Sequence, residues 1–188
     1  MKKKMSTLLL LLAAVSTAWS QASKMNIDSN ASSVQWNAKK VTGEHEGTIK
    51  LIEGNLEMDG ETISGGNFTV DMTTIDCTDL TGEYKGKLEG HLRSDDFFSV
   101  DKFPKASLVI TKSEIKMKNH YAMEGALTIK GMTQPINFEM HVEGDTAMTK
   151  LVVNRSKYDI RYRSASFFDN LGDKMIYDDF ELAVNLKF

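Results

Sequence analysis

The strongest constraint in the sequence is an alternation of apolar and polar residues with a period of two. In residues 120–131, HYAMEGALTIKG, apolar side chains occupy every second position, and Glu124, Thr128 and Lys130 lie between them. Residues 134–144, QPINFEMHVEG, and 180–188, FELAVNLKF, repeat the pattern. Because successive side chains of a strand point to opposite faces, this alternation predicts strands with one buried face.

Weaker alternation predicts further strands at 34–41, 48–58, 63–72, 106–117 and 147–153. The apolar parity changes at Leu51 and Ile52, which predicts a β-bulge near Gly54. Residues 64–67, SGGN, favour a turn or bulge. From Thr81 to Ser94 the apolar residues have helical spacing, so this segment is predicted to be the one helix.

Eight strands with short connections and one helix predict an all-β fold, either an up-and-down antiparallel barrel or a sandwich. The helix would cap one end of such a barrel. An eight-stranded barrel has an interior that is either filled by side chains or wide enough for one small ligand.

The N-terminal residues 1–22 have the order of a secretory signal peptide. Three lysines precede the apolar run from Leu8 to Val15, and small residues follow. The run is too short to cross a bilayer, so we expect cleavage after Ser20 or Ala22 and a periplasmic or secreted location. No later segment has the roughly 20 apolar residues of a spanning helix, so the protein is not expected to span a membrane.

Residues 23–188 are predicted to form one domain, because no linker or low-complexity segment interrupts them. Without the three leader lysines, 20 basic residues stand against 26 acidic ones, and no basic patch indicates a nucleic-acid partner. Cys77 is the single cysteine, so no intrachain disulfide can form. No nucleophile elbow or cysteine–histidine signature is present, so no catalytic residue is assigned and an enzyme is not expected.

Five segments in order resemble successive blocks of the YceI-like family. They are WNAKKVTGEHEGTI, GNFTVDMTTI, HLRSDDFFSVDKFPKASL, GALTIKGMTQPINF and VNRSKYDIRY. The resemblance implies a lipocalin-like eight-stranded antiparallel barrel that binds a long isoprenoid lipid or isoprenoid quinone, outside the cytoplasm. It implies no cofactor other than that ligand, and it permits a homodimer.

An isoprenoid tail is almost insoluble in water, so its carrier must surround it with apolar side chains. The residues expected to form this wall are Trp36, Phe68, Val70, Leu88, Phe97, Phe98, Leu108, Met123, Leu127, Ile129, Phe138, Met140, Phe180 and Val184. Methionines among them can adapt to a flexible chain.

The adjacent Phe97 and Phe98 follow the predicted helix in a polar segment. One hypothesis is that one ring enters the tunnel while the other anchors the loop. The alternative is that both rings fill a packed core. Phe167 and Phe168 raise the same question.

His45, His91 and Arg155 match polar positions of the family blocks and are expected headgroup contacts. The two histidines lack the spacing of a zinc site, so no metal is assigned, and structural roles remain the alternative. For Arg155 the alternative is a structural salt bridge. His120 and His141 occupy outward strand positions and are assigned no role.

The sequence therefore favours a carrier or storage protein for an isoprenoid lipid. The first alternative is an enzyme or redox accessory that acts on such a lipid. The second is a stress-response protein whose barrel is filled by its own side chains.

Overall fold

A computed structural model describes residues 23–60 and 62–188, so the predicted signal peptide lies outside the described residues. The described chain forms nine strands and one α-helix: β1 (Ser23–Asn26), β2 (Ser33–Lys40), β3 (Gly43–Asp59), β4 (Thr62–Cys77), α1 (Gly82–Arg93), β5 (Lys105–Met117), β6 (His120–Ile129), β7 (Met132–Glu143), β8 (Thr146–Asn154) and β9 (Ile176–Lys187). Two short 3-10 helices, Arg155–Tyr158 and Gly172–Lys174, lie between β8 and β9.

Eight of these strands close into an antiparallel barrel. The neighbours run in the order β3, β2, β9, β8, β7, β6, β5 and β4, and β4 pairs with β3 to complete the circle. The short β1, which the sequence did not predict, pairs with the far part of β3. The predicted eight-stranded lipocalin-like barrel with one short helix is confirmed. The sandwich is wrong, because every barrel strand has a hydrogen-bonded neighbour on both sides.

The alternation that predicted the strands also sorts their side chains between the two faces. On β6, Tyr121, Met123, Leu127 and Ile129 are buried, and the residues between them are more exposed. On β9 the inward apolar residues other than Leu186 are only partly buried. They border empty space inside the barrel.

The long strands β3 and β4 contain the irregularities that the sequence indicated. The pairing register shifts between Leu51 and Glu53, so the predicted bulge exists at Ile52 rather than at Gly54. A second shift leaves Ser64 without a partner in the ladder. Residues 64–67 are therefore a bulge within β4, and the alternative of a turn there is wrong.

Helix α1 occupies the predicted segment, with Thr81 and Ser94 as its flanking caps. It is held against the end of β4, where Arg93 Nη2 donates to the carbonyl of Ile75 and the N–H of Cys77 donates to Glu89 Oε1. Within the described chain, no helix has the length and apolar composition needed to cross a membrane.

The two ends of the barrel differ in how they are closed. At one end lie α1, residues 94–104, the β6–β7 turn and residues 155–175, and we call this end the mouth. At the opposite end Leu56, Ile63, Met123 and Ala147 are each at most 1% exposed. That end is therefore sealed by close packing, and a cavity can open only towards the mouth.

Candidate functional site: an apolar cavity inside the barrel

A cavity of about 170 Å³ lies inside the barrel, on the side of the mouth. Its wall comes from all eight barrel strands, from α1 and from residues 97 and 98. The lining residues are Val34, Trp36, Ala38, Ile49, Leu51, Phe68, Val70, Met72, Ile75, Leu92, Phe97, Phe98, Ala106, Ser107, Leu108, Leu127, Ile129, Phe138, Met140, Thr149, Leu151, Arg155, Ile176, Tyr177, Phe180, Leu182, Val184 and Leu186.

Two of the few polar side chains in this wall donate to backbone carbonyls. Thr149 Oγ1 donates to the carbonyl of Glu139 at 2.6 Å, and Trp36 Nε1 donates to the carbonyl of Thr48 at 3.2 Å. Tyr177 lines the cavity and is also 48% exposed, which places it at the opening. The cavity therefore suits a hydrocarbon rather than a polar guest.

Phe97 and Phe98 both line the cavity, and their rings meet edge to face with centroids 5.0 Å apart. The loop that carries them is fixed by its own backbone, because the N–H of Phe98 donates to Leu92 O and the N–H of Val100 donates to Arg93 O. Both rings border the cavity, so the structure does not assign entry to one ring and anchoring to the other. Phe97 combines both expected roles, because it is buried at 8% exposure and still borders the empty space.

Arg155 reaches the cavity wall from the end of β8 and is 2% exposed. Its guanidinium donates to four carbonyls, those of Ile160, Tyr162, Ile176 and Tyr177, at 2.9–3.1 Å. Asp178 Oδ1 lies 3.2 Å from Nη2. Burial lowers the pKa of Arg155 and the Asp178 carboxylate opposes this. Four of the five N–H groups of Arg155 donate to these carbonyls and its charge is paired with Asp178, so the geometry favours the structural alternative for Arg155.

His91 lies behind the cavity wall rather than in it. Its ring packs edge to face against Tyr162, with centroids 4.3 Å apart, and against Phe97 at 5.7 Å. Nε2 of His91 is covered and has no hydrogen-bond partner among the described residues. The side chain supports the Phe97 ring from outside the cavity and does not face a guest.

His45 also lies outside the cavity, at the mouth end of β3. Its Nδ1 is 2.8 Å from Asp79 Oδ2, and the Cys77 thiol donates to Asp79 Oδ1 at 3.1 Å. Burial raises the pKa of Cys77, and the thiol is fully buried. The histidine and the cysteine thus bind the two oxygens of one carboxylate, so His45 is not placed to activate the thiol.

Twelve of the fourteen expected wall residues line the cavity, and Leu88 and Met123 do not. Leu88 lies one turn before Leu92 on the same face of α1, and Leu92 is the one that borders the cavity. Met123 is inward, as its strand position indicates, but it belongs to the packed opposite end. Contact of any of these residues with a ligand remains a prediction.

Several lining residues were not expected from the sequence. Leu182 and Leu186 lie on the same face of β9 as Phe180 and Val184. The alternation in the sequence therefore already indicated that they point inward. Ile75 lies beyond the predicted end of β4. Tyr177 lies before the strongly alternating part of β9, and nothing in the local pattern marks it.

A family model for the YceI-like domain matches residues 25–188, which is most of the chain. This chain belongs to the YceI-like family. The match begins just after the predicted leader and includes every barrel strand.

Bacterial UPF0312 proteins are among the relatives of this chain. A UPF0312 protein of Pseudomonas putida strain W619 is 26% identical over 148 residues, which cover 77% of this chain and 75% of that protein. A UPF0312 protein of Shewanella denitrificans is 30% identical over 99 residues, 53% of this chain. This chain spans about half the length of the Shewanella relative.

Solved structures share the barrel. BcnA of Burkholderia cenocepacia superimposes with a TM-score of 0.68 at 19% identity, over 85% of this chain and 98% of BcnA. A domain from Saccharophagus degradans described as polyisoprenoid binding has a TM-score of 0.60 at 13% identity, over 88% of this chain and 97% of that domain. At these identities the likeness shows a common fold.

Proposed function

We propose that this YceI-like protein binds the hydrocarbon tail of an isoprenoid lipid in its barrel and acts as a non-enzymatic carrier or storage protein. The observation that carries the proposal is the apolar cavity inside the barrel, whose lining includes the exposed Tyr177. Membership of the YceI-like family and the fold shared with a polyisoprenoid-binding domain support it.

The size of the cavity limits how a tail would enter. Its volume of about 170 Å³ is close to the roughly 150 Å³ of an engineered apolar cavity that takes up benzene. One or two isoprene units fill such a space, so a longer tail must displace wall side chains. Met72 and Met140 line the cavity, and their unbranched side chains can move at low cost.

The tail supplies the binding energy in this proposal. Removal of a few hundred Å² of apolar surface from water yields several kcal/mol, at about 25 cal/mol per Å², before ordering costs. Because four of the five donors of Arg155 are used within the protein and its charge is paired with Asp178, we expect the headgroup to remain near Tyr177 and the solvent. Polyprenols, polyprenyl phosphates and isoprenoid quinones with equal tails should then bind with similar affinity.

An enzyme or redox accessory that acts on the same lipid is the second candidate. The arrangement around Cys77 gives it no support, because the thiol is buried and donates to a carboxylate.

A side-chain-filled barrel does not fit the open cavity, so a stress-response role would have to use the cavity or the outer surface. Export to the periplasm or medium, independence of any cofactor and assembly as a homodimer remain predictions that accompany the proposal.

Mass spectrometry of the organic extract from natively purified protein tests the proposal. We expect an isoprenoid lipid at up to one molecule per chain. An Ala106→Phe variant, which places a ring into the cavity, should lose the lipid. Ala126→Phe, on the outer face of β6, is the matched control and should retain it. A wild-type extract without isoprenoid, together with no uptake of added polyprenol, would exclude the proposal.

Turnover separates the carrier from the enzyme. If the protein is a carrier, a bound isoprenoid quinone should be recovered without chemical change after the protein is incubated in a reductant-free buffer and with membranes. Recovery of a modified lipid that requires the folded protein would favour the second candidate.

A further inference from the structure

Four side chains with metal-binding atoms form a row across the outer surface of the barrel, away from the mouth. Met117 of β5 pairs with His120 of β6, His120 pairs with His141 of β7, and His141 pairs with Met148 of β8. The sequence places these residues in three separate segments. Only the register of four adjacent strands brings them into one line.

His120, His141 and Met148 lie on the outer face of the sheet, because their neighbours Tyr121, Met140 and Ala147 are buried in the barrel. Met117 follows a bulge in β5 and joins the row through its pairing with the outward His120. Met117 is 63% exposed and Met148 is 50% exposed. Directly opposite residues of antiparallel strands have Cβ atoms about 5 Å apart, so each thioether is within reach of the neighbouring imidazole.

The two histidines are already in contact. Their ring centroids are 4.4 Å apart and the ring planes are inclined by 43°. Two nitrogens that bind one metal at about 2.0 Å each are at most about 4 Å apart, so a small rotation of either ring allows both to bind the same ion.

Glu143 lies next to the His141 ring. Its Oε2 lies 3.5 Å from His141 Nε2, whereas Nδ1 of His141 has no hydrogen-bond partner among the described residues. Nδ1 is also covered in this arrangement, so the ring rotation that brings His141 to an ion must expose Nδ1, while the carboxylate holds the proton on Nε2. A carboxylate on the second nitrogen is the usual support of a metal-binding histidine.

From this row we propose that Met117, His120, His141 and Met148 form a surface site for a soft monovalent metal ion, Cu(I). Thioether sulfur selects soft ions, and imidazole also binds copper. Neither a thioether nor an imidazole is a thiol. The site therefore does not depend on a reducing environment that would keep thiols free.

The same row is poorly suited to zinc. Among residues 23–60 and 62–188 there is no group of three histidine, cysteine, aspartate or glutamate side chains that could hold a metal. The buried thiol of Cys77 is inaccessible and does not compete for the ion. The site lies outside the barrel and does not depend on the proposed lipid function.

Competition with a chromogenic Cu(I) chelator, under anaerobic conditions with ascorbate, measures the affinity of the full chain. We expect one Cu(I) per chain. Loss of a side chain that only supports a metal ligand already costs about 10- to 100-fold in affinity, so His120→Asn and His141→Asn should each cost at least that. Met117→Leu and Met148→Leu should weaken binding by about tenfold, and their similar volume preserves the fold.

Met132→Leu is the matched control, because Met132 is an exposed strand methionine at the mouth end. It should leave Cu(I) affinity unchanged. Addition of Ag(I), a redox-inert substitute, should shift the NMR signals of the Met117 and Met148 methyl groups and not that of Met132. The proposal is overturned if Cu(I) does not bind, if the histidine variants bind it equally well, or if neither Met117→Leu nor Met148→Leu changes the affinity. Thermal unfolding of each variant identifies any loss that comes from misfolding.

Discussion

The guanidinium of Arg155 lies over the ring of Phe97, with 5.6 Å between its central carbon and the ring centroid. The contact joins the segment after β8 to the loop after α1. Through Phe97 it extends to Phe98 and His91. The mouth of the cavity is therefore held by one buried cation and an aromatic cluster rather than by the barrel strands alone.

Replacement of Arg155 by methionine should strongly destabilise the fold. The variant leaves four carbonyls without their donor and Asp178 without its cation. Loss of one partner of a buried ion pair costs about 3–5 kcal/mol. Urea unfolding followed by circular dichroism measures the change. Arg161→Met, which removes an exposed arginine paired with Asp159, is the control and should have little effect. Equal stability of the two variants would contradict a structural role for Arg155.

Replacement of Phe97 by alanine should lower the free energy of unfolding by about 3–5 kcal/mol, the range for a buried phenylalanine. It also removes the surface on which Arg155 and His91 rest, so we expect retention of an added polyprenol to fall. Phe168→Ala serves as the control, because Phe168 is 51% exposed in the segment after β8. If Phe97→Ala unfolds at the temperature of the wild type, Phe97 does not hold the mouth.

Asp79 should make stability depend on pH in the acid range. Burial raises the pKa of Asp79, but hydrogen bonds from His45, the Cys77 thiol and the N–H of Glu46 outweigh this effect. The net result is a pKa lowered to about 2. Because the pKa is lower in the folded state, ionised Asp79 stabilises the fold at pH values above the ordinary pKa of 3.8. This contribution is lost as the pH falls towards 2.

The partly exposed carboxylate is screened by solvent, so we expect a contribution of about 1 kcal/mol. The measurement is urea unfolding of the wild type and of Asp79→Asn between pH 5 and pH 2. Other carboxyl groups with a lowered pKa, such as Asp71 and Asp95, contribute equally to the pH dependence of both proteins. The difference between the two proteins should shrink as the pH falls, and a constant difference would refute the assignment.

Two glycines should respond in opposite directions to alanine. A Cβ at Gly47 would lie 1.9 Å from the carbonyl oxygen of Asp76 and 2.5 Å from the Trp36 ring. Gly47→Ala should therefore destabilise the barrel by about 1–3 kcal/mol or more. A Cβ at Gly86, in α1, meets nothing within 4 Å, so Gly86→Ala should stabilise the helix by up to about 1 kcal/mol. Thermal unfolding of both variants checks the signs.

The strands were predictable because their signal is local. Alternation in β6, β7 and β9 directly reports which side chains are buried, and twelve expected wall residues do line the cavity. Leu88 and Met123 show the limit of this reasoning. Alternation distinguishes inside from outside, but it does not tell where along the barrel axis a side chain lies.

The polar residues were harder to interpret. Arg155 looks like a headgroup ligand in the sequence, because a lone arginine in a polar segment carries no sign of its partners. Four carbonyls from residues 160–177 surround it only after the chain has folded back. The same holds for Cys77 and His45, which are far apart in sequence and share the carboxylate of Asp79.

The sequence by itself determined the all-β class, the inward and outward faces and the position of the helix, because strand periodicity is a property of neighbouring residues. Tertiary structure alone decided that the barrel is open at one end, that the guanidinium at its mouth donates to four backbone carbonyls, and that two methionines and two histidines share one row. Each of these depends on strand register and loop return, which bring together residues that no local pattern connects.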